Sequence, residues 1–196
     1  MRAELEILKL QLQPHFLFNT LQSIAVLVKK DPDSAVRVTR DLAALLRVAL
    51  RRGGQTTTLA SELELVRHYV DIEQVRFGDR LRIIWDIEPA AEQCSVPELM
   101  LQPIVENAVR HGATQNEAGG TVTIRARREK RLVIEVLDDG PGFAEDAEER
   151  IGLGATRSRL KNLYGDDYLL ECGGSAAALK AATASPQSRV RIEVPL

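Results

Sequence analysis

The chain has 196 residues, 44% of them hydrophobic and 28% charged, and its 26 lysines and arginines nearly balance 28 acids for a net charge of −2. At about 150 residues per domain this length means one or two domains with a real core, and the composition excludes a disordered or fibrous chain. Near-neutrality provides no global field toward nucleic acid or an anionic membrane, and Cys94 and Cys172, far apart and outside any C-x-x-C spacing, suggest neither a zinc site nor a disulfide framework and fit a reducing compartment.

The first 54 residues read as a helical hairpin. Leu10, Pro14, Leu17, Leu21, Ile24 and Val28 alternate steps of four and three, the spacing of helices that pack along a seam. The same stretch, Leu10 to Val28, is free of charge, but its glutamines, His15, Asn19 and Thr20 make it amphipathic rather than membrane-spanning. Asp31 is the expected N-cap of a second helix, with Pro32 at its first position. Ala35, Val38, Leu42, Leu45 and Ala49 form that helix's stripe, and Gly53-Gly54 ends it. Two helices alone cannot bury both seams, so a homodimer closing a four-helix bundle is expected.

From residue 55 to 196 the pattern is mixed. Thr58 is placed to cap a helix with the stripe Leu59, Leu63, Val66, Val70 and Phe77. Leu81, Ile83, Trp85 and Ile87 alternate as a strand, and Pro97 is expected to open a helix that runs to about His111 and stops at Gly112. Val122, Ile124, Ala126 and Leu132, Ile134, Val136 predict a hairpin turning near Glu129-Lys130. A glycine-rich loop follows at Asp138 to Gly142 and an acidic one at Glu145 to Glu149; then come a helix over Ile151 to Tyr164 and a last strand at Val190, Ile192 and Val194. The sum is a mixed sheet with helices on one face.

Four places have the residues for chemistry. His15, Asn19 and Gln22 share one face of an otherwise apolar helix. A lone surface histidine more often has no role, but an accessible neutral imidazole is also a nucleophile at pH 7. Asn107 and His111 share a second helix face beside the ion-pair spacing of Glu106 and Arg110, and Pro103 within that helix is expected to bend it. An amide oxygen aimed into a cleft suits a magnesium ion that keeps most of its waters; the competing reading is an ordinary helix with a surface salt bridge. Asp138 at a strand end can accept from an exocyclic amine, with Gly140 and Gly142 letting a planar base approach, although Asp-Gly is also a common tight turn. Gly152-Leu153-Gly154 adds a flexible point after the acidic loop, which could act as a lid. Arg157 stands where a Rossmann fingerprint needs glycine, and no G-K-[ST] occurs, so a P-loop is excluded.

In order, these motifs resemble a sensor histidine kinase. Pro-His-Phe-Leu-Phe-Asn at 14 to 19 is similar to the phosphoacceptor box of the autolysis-regulator (LytS/YehU-like) group. Leu45-Leu46-Arg47, Leu59 with Glu62, Tyr69, Arg76-Phe77, Pro97, Leu101-Gln102-Pro103, Glu106-Asn107-Ala108, His111-Gly112 and Asp138, Gly140, Gly142 resemble that group's pattern in register, as do Ile151-Gly152-Leu153, Arg157, Arg159-Leu160, Tyr164-Gly165 and Val194-Pro195. The resemblance implies an α+β chain: an N-terminal antiparallel helical hairpin that dimerises as a four-helix bundle over residues 1–54, then a Bergerat-type α/β sandwich ATP-binding domain of the gyrase, Hsp90, histidine kinase and MutL type over 55–196. It implies Mg²⁺ at Asn107, the adenine amine at Asp138, Arg110 and His111 near the phosphates, and a pocket and lid shaped by Gly140, Gly142, Gly152, Leu153 and Gly154. His15 would take the γ-phosphoryl group of ATP, oriented by Asn19 or Glu106, and a response regulator's aspartate would receive it; the group's regulators often have a LytTR-type DNA-binding domain. The pattern is departed from where Arg150 replaces a glycine and Ala155 an asparagine, both in the lid segment, and where the terminal Gly-Gly-Thr element becomes Gly173-Gly174-Ser175 followed by the alanine-rich Ala176 to Ala184.

The leading expectation is an autophosphorylating histidine kinase core, cytoplasmic in itself or as the cytoplasmic part of a membrane-anchored sensor. The alternative is a nucleotide-binding dimeric signalling module with weak or no kinase activity, motivated by Arg150 and Ala155. A relative acting on protein serine, like the anti-sigma kinases, would lack the hairpin of residues 1–52. Arg47, Arg51 and Arg52 are explained by a solvated helix end, so direct contact with nucleic acid is not expected.

Overall fold

The computed structural model describes residues 14–50, 54–113, 119–140, 153–173 and 188–196. The chain divides into two compact units, Met1–Gly53 with Glu64–Gly78 and Gly54–Leu63 with Asp79–Leu196.

In the first unit, α1 (Pro14–Lys30) and α2 (Pro32–Leu50) are separated by Asp31 alone. Asp31 accepts the Ser34 N–H at 3.1 Å and the Ser34 hydroxyl at 2.6 Å, bonds that hold its carboxyl below the usual range. Pro32 occupies the first helical position, where no intrahelical donor is needed. On α2 the expected stripe is the buried one: Ala35, Val38, Leu42 and Leu45.

Within a single chain, α1 buries a face beside the expected seam. Leu21 and Val28, read as seam positions, are 49% and 57% exposed, whereas Phe16 and Thr20 are buried. The cause is a third helical segment. Helix α3 (Leu59–Phe77) contributes its residues from Glu64 onward to this unit. There the Tyr69 ring lies 5.2 Å from that of Phe16, and His68 Nδ1 lies 2.9 Å from Asp41 Oδ1 on α2. With the Phe16 face of α1 covered, Phe18, Leu21, Val26 and Val28 remain as apolar surface. Leu10, Gly53 and the side chains of Pro14 and Ala49 lie outside the described residues.

In the second unit, β1 (Thr56–Thr58) pairs antiparallel with β3 (Ser95–Pro97). Thr58 Oγ1 accepts the Ser61 N–H at 3.2 Å and caps α3, whose Leu59 and Leu63 are buried. The main sheet joins β2 (Leu81–Ile87), β4 (Gly120–Arg128), β5 (Leu132–Asp138), β6 (Leu169–Gly173) and β7 (Ser188–Val194) in the order β2-β4-β5-β7-β6. Among the described strands only β2 and β4 run parallel, so the sheet is mixed as expected. Period-two alternation gives it two unlike faces. One row across all five strands reads Asp86, Arg125, Glu135, Arg191, Glu171, with alternating charge and Arg125 bonded to Asp86 at 2.9 Å. The opposite face has Val122, Ile124, Ala126, Ile134, Val136, Val190 and Ile192, all buried. The fold is therefore an α+β sandwich with its apolar sheet face toward the helices.

The helical elements of this unit are the short α4 (Pro89–Glu92), α5 (Gln102–Asn107), which continues as a π-type turn over Ala108–Ala113, and α6 (Leu153–Tyr164). Two expectations are corrected here. Pro97 closes β3 instead of opening a helix, and Pro103 sits in the first turn of α5, where it neither costs an intrahelical hydrogen bond nor bends the axis. α6 ends as expected at Gly165, which has φ of +63° and donates to Lys161 O at 2.9 Å.

Candidate functional site

His15 stands exposed in the first turn of α1. One turn on, Asn19 Nδ2 lies 3.2 Å from both ring nitrogens, so the amide can steady the ring. Asn19 also lines an open groove of about 450 Å³ with Gln22, Ser23, Val26, Leu27, Val75 and Arg76. The exposed imidazole is thus free to meet a reactant.

The other predicted residues gather in the second unit. Asp138 ends β5 in register with Val122 and Ser188, which puts it on the apolar face of the sheet. It is 7% exposed. That burial pushes its carboxyl up to about 6, against the pull of the Gly140 N–H, which donates to Oδ1 at 3.0 Å, and of the Ser188 hydroxyl. Asp139, its neighbour, does different work: both its carboxylate oxygens accept the Thr121 N–H, at 2.8 and 2.9 Å, and tie the end of β5 to the start of β4. Only Asp138 of the pair has the environment of a ligand acceptor.

Asn107 is the last residue of α5 and is buried; its Oδ1 accepts from Arg110 Nη2 at 3.2 Å. Glu106 accepts from Gln102 Nε2 at 2.7 Å on the same helix. The π-type turn after Asn107 packs on β4 and β5, which brings α5 to the strand that ends in Asp138. His111 lies in that turn, and its side chain is outside the described residues. Leu153 opens α6 and is buried, while Gly154 beside it is exposed with open space around its Cα. Gly142, Gly152, Arg150 and the acidic loop at 145–149 lie outside the described residues; Ala155 is exposed on α6.

This donor set fits a magnesium nucleotide. Among the described residues no group of three or more His, Cys, Asp or Glu is arranged to hold a metal, and a magnesium ion kept by one amide oxygen, water and phosphates requires none. A desolvated carboxylate on an apolar sheet face suits the edge of a flat base with an amine donor.

Two residues escaped the functional reading. Glu62 on α3 is 2% exposed and accepts the N–H groups of Leu99 at 2.6 Å and Leu101 at 2.9 Å. Burial pushes its carboxyl up, and the N–H groups of Leu101, Leu99 and Met100 pull it down. Thr156 on α6 is buried and donates to Met100 O at 3.1 Å. A signal existed for Glu62: it sits three residues after Leu59 and four before Val66, a charged residue on a buried helical stripe.

Comparison with known proteins matches these two regions separately. A family model described as histidine kinase covers residues 3–81, and one described as histidine kinase-, DNA gyrase B- and HSP90-like ATPase covers residues 96–183. The chain belongs to the histidine kinase family. It is 37% identical over 169 residues to the sensor histidine kinase BtsS of Escherichia coli strain K12, covering 85% of this chain and 30% of that protein. With the sensor protein LytS of Enterococcus faecalis it shares 32% identity over 213 residues, covering 97% of this chain and 36% of the relative. The chain thus spans about a third of the length of these relatives. Its fold is similar to the histidine kinase domain of the Erythrobacter litoralis EL346 blue-light activated histidine kinase, with a TM-score of 0.52 at 20% identity, covering all of this chain and 94% of the other. It is also similar to the catalytic domain of histidine kinase ThkA, with a TM-score of 0.53 at 13% identity over 71% of this chain and 93% of that domain. Among the described residues no helix is long and apolar enough to cross a membrane.

Proposed function

We propose that this chain is the kinase core of a two-component system, which binds Mg-ATP in its second unit, is phosphorylated on His15 and passes the phosphoryl group to an aspartate of a response regulator. The observation that carries this reading is the coexistence in one chain of an exposed imidazole backed by Asn19 and a desolvated carboxyl, Asp138, at a strand end. In this assignment residues 1–54 dimerise and accept the phosphoryl group, and residues 55–196 bind and orient the nucleotide.

Asp138 accepts the exocyclic amine of adenine, with the Gly140 N–H fixing its other contact. Asn107 would hold the magnesium ion through its amide oxygen, and Arg110, which donates to that oxygen here, would turn to the phosphates together with His111. The ion, when bound, neutralises charge on the phosphates. A ring nitrogen of His15 attacks the γ-phosphorus; the N–P bond forms as the bond to the bridging oxygen breaks, ADP leaves and the proton on the ring passes to solvent. Asn19 limits the ring's rotation, and little further covalent help is required, because phosphoryl transfer depends mostly on alignment and charge. The apolar surface of α1 at Phe18, Leu21 and Val28 supports a homodimer. A regulator of LytTR type and an upstream sensor are the partners the resemblance implies.

The test compares His15→Gln and Asp138→Asn with wild type for Mg-ATP affinity and for covalently bound phosphate. His15→Gln should bind ATP like wild type and acquire no phosphate, and Asp138→Asn should lose both. Phosphate at wild-type level in His15→Gln would remove the proposal.

A further inference from the structure

Residues Glu98 to Leu101 form the entrance to α5, and three features of this short loop belong together. Leu99 has φ of +57°, a left-handed conformation that is costly for a side chain of its size. Leu101 flanks α5 at its N-terminus and has no side-chain cap bond, yet its carbonyl accepts from Ile104 and Val105, both at 3.1 Å, so the direction of α5 follows from where Leu101 is held. The N–H groups of Leu99 and Leu101 both end on one carboxylate, that of Glu62.

We propose that Glu62 is a positioning residue for the nucleotide site: its carboxylate holds the strained Leu99 loop that aims α5 and Asn107, and Thr156 of α6 fixes the same loop from its carbonyl side. The proposal rests on the reading of Asn107 as a nucleotide residue. A carboxylate buried this deeply is unfavourable for stability unless its oxygens are bonded, and an apolar side chain would fill the same stripe of α3 without that cost. What an apolar side chain cannot do is gather two backbone donors that the left-handed turn directs to one point. An amide cannot do it fully either, since its nitrogen end would meet an N–H donor.

The second anchor has its own logic. Met100 is buried, so its carbonyl needs a donor, and the Thr156 hydroxyl supplies it. Thr156 lies three residues after Leu153, at the start of the helix that follows the expected lid. The loop is therefore tied to α3 through its amides and to α6 through a carbonyl, and it leads directly into the helix that ends at Asn107. Displacement of either anchor moves the start of α5, and Asn107 with it.

The experiment measures Kd for Mg-ATP by titration calorimetry, with thermal melting in parallel, for the whole chain as wild type, Glu62→Gln and Thr156→Val. Glu62→Gln should weaken nucleotide binding about tenfold and Thr156→Val about threefold, the scale of one charged and one neutral hydrogen bond. A purely structural role lowers the melting temperature and leaves the Kd of the folded chain unchanged. Wild-type binding together with unchanged Kd in the folded variants would overturn the positioning role and leave the nucleotide assignment standing. Failure of wild type to bind Mg-ATP would overturn that assignment and this proposal with it. Should Glu62→Gln not fold, the nearly isosteric Thr156→Val decides on the same criterion.

Discussion

Asp138→Asn separates stability from function in a way that can be calculated. The Asp138 carboxyl titrates at an ordinary 3.8 in the unfolded chain and at about 6 in the folded one, because burial on the apolar sheet face outweighs the bonds from Gly140 and Ser188. A group whose pKa rises on folding favours the folded state while it is protonated in both states, and that advantage disappears as pH climbs from the lower value to the higher. The gap, at about 1.4 kcal/mol per pH unit, comes to about 3 kcal/mol. Asparagine keeps the shape without the charge. The nucleotide-free Asp138→Asn chain should therefore match wild type below pH 3.8, gain on it steadily to about pH 6, and stay about 3 kcal/mol more stable above that. Urea unfolding of both proteins at half-unit pH intervals measures the difference, and other titrating groups cancel in it. A difference that does not change with pH would show that burial does not raise the Asp138 carboxyl. The same substitution weakens the acceptor offered to adenine, so the stabler protein should be the one that binds nucleotide poorly.

Other substitutions test the frame around the site. Gly119 has φ of +89°, and a Cβ there would lie 2.6 Å from the Arg80 carbonyl oxygen and 2.8 Å from its Cα, so Gly119→Ala should cost about 2 kcal/mol or more in urea unfolding. Gly165→Ala, also left-handed but in open space, should cost only about 1 kcal/mol. Leu45 is fully buried, and Leu45→Ala should lower the stability of the first unit by about 2–5 kcal/mol. Val28→Asp places a charge on the apolar surface of α1; sedimentation should show a dimer in wild type and a monomer in the variant, while helical content is unchanged.

Legibility in the sequence followed how local the determining physics was. Asp31 and Thr58 were readable as caps because a cap satisfies donors within three residues. The stripe of α2 and the hairpin of β4 and β5 were readable because one face of each is uniformly apolar. On α1, aromatic and aliphatic side chains occupy more than one face, and which is buried depends on Tyr69, far along the chain. The strands β1 and β6 gave little signal: one is three threonines in a linker, the other an edge strand without clean alternation. Pro103 was misread because the start of α5 is set by a left-handed leucine and a glutamate 37 residues before it. In the site, Asp138 was legible from its place after an alternating strand, but Thr156 was not, since its partner Met100 is 56 residues away. The row of five alternating charges across the sheet needs the strand order to be seen at all.

Everything proposed for this chain depends on His15 accepting a phosphoryl group from ATP. Incubation of the chain with Mg-ATP, followed by peptide mapping under neutral conditions and by treatment with acid and with base, tests it most directly. The peptide containing His15 should carry one phosphate, labile in acid, stable in base and absent from His15→Gln. Acid-stable phosphate, or phosphate on any other residue with His15 unmodified, would contradict it.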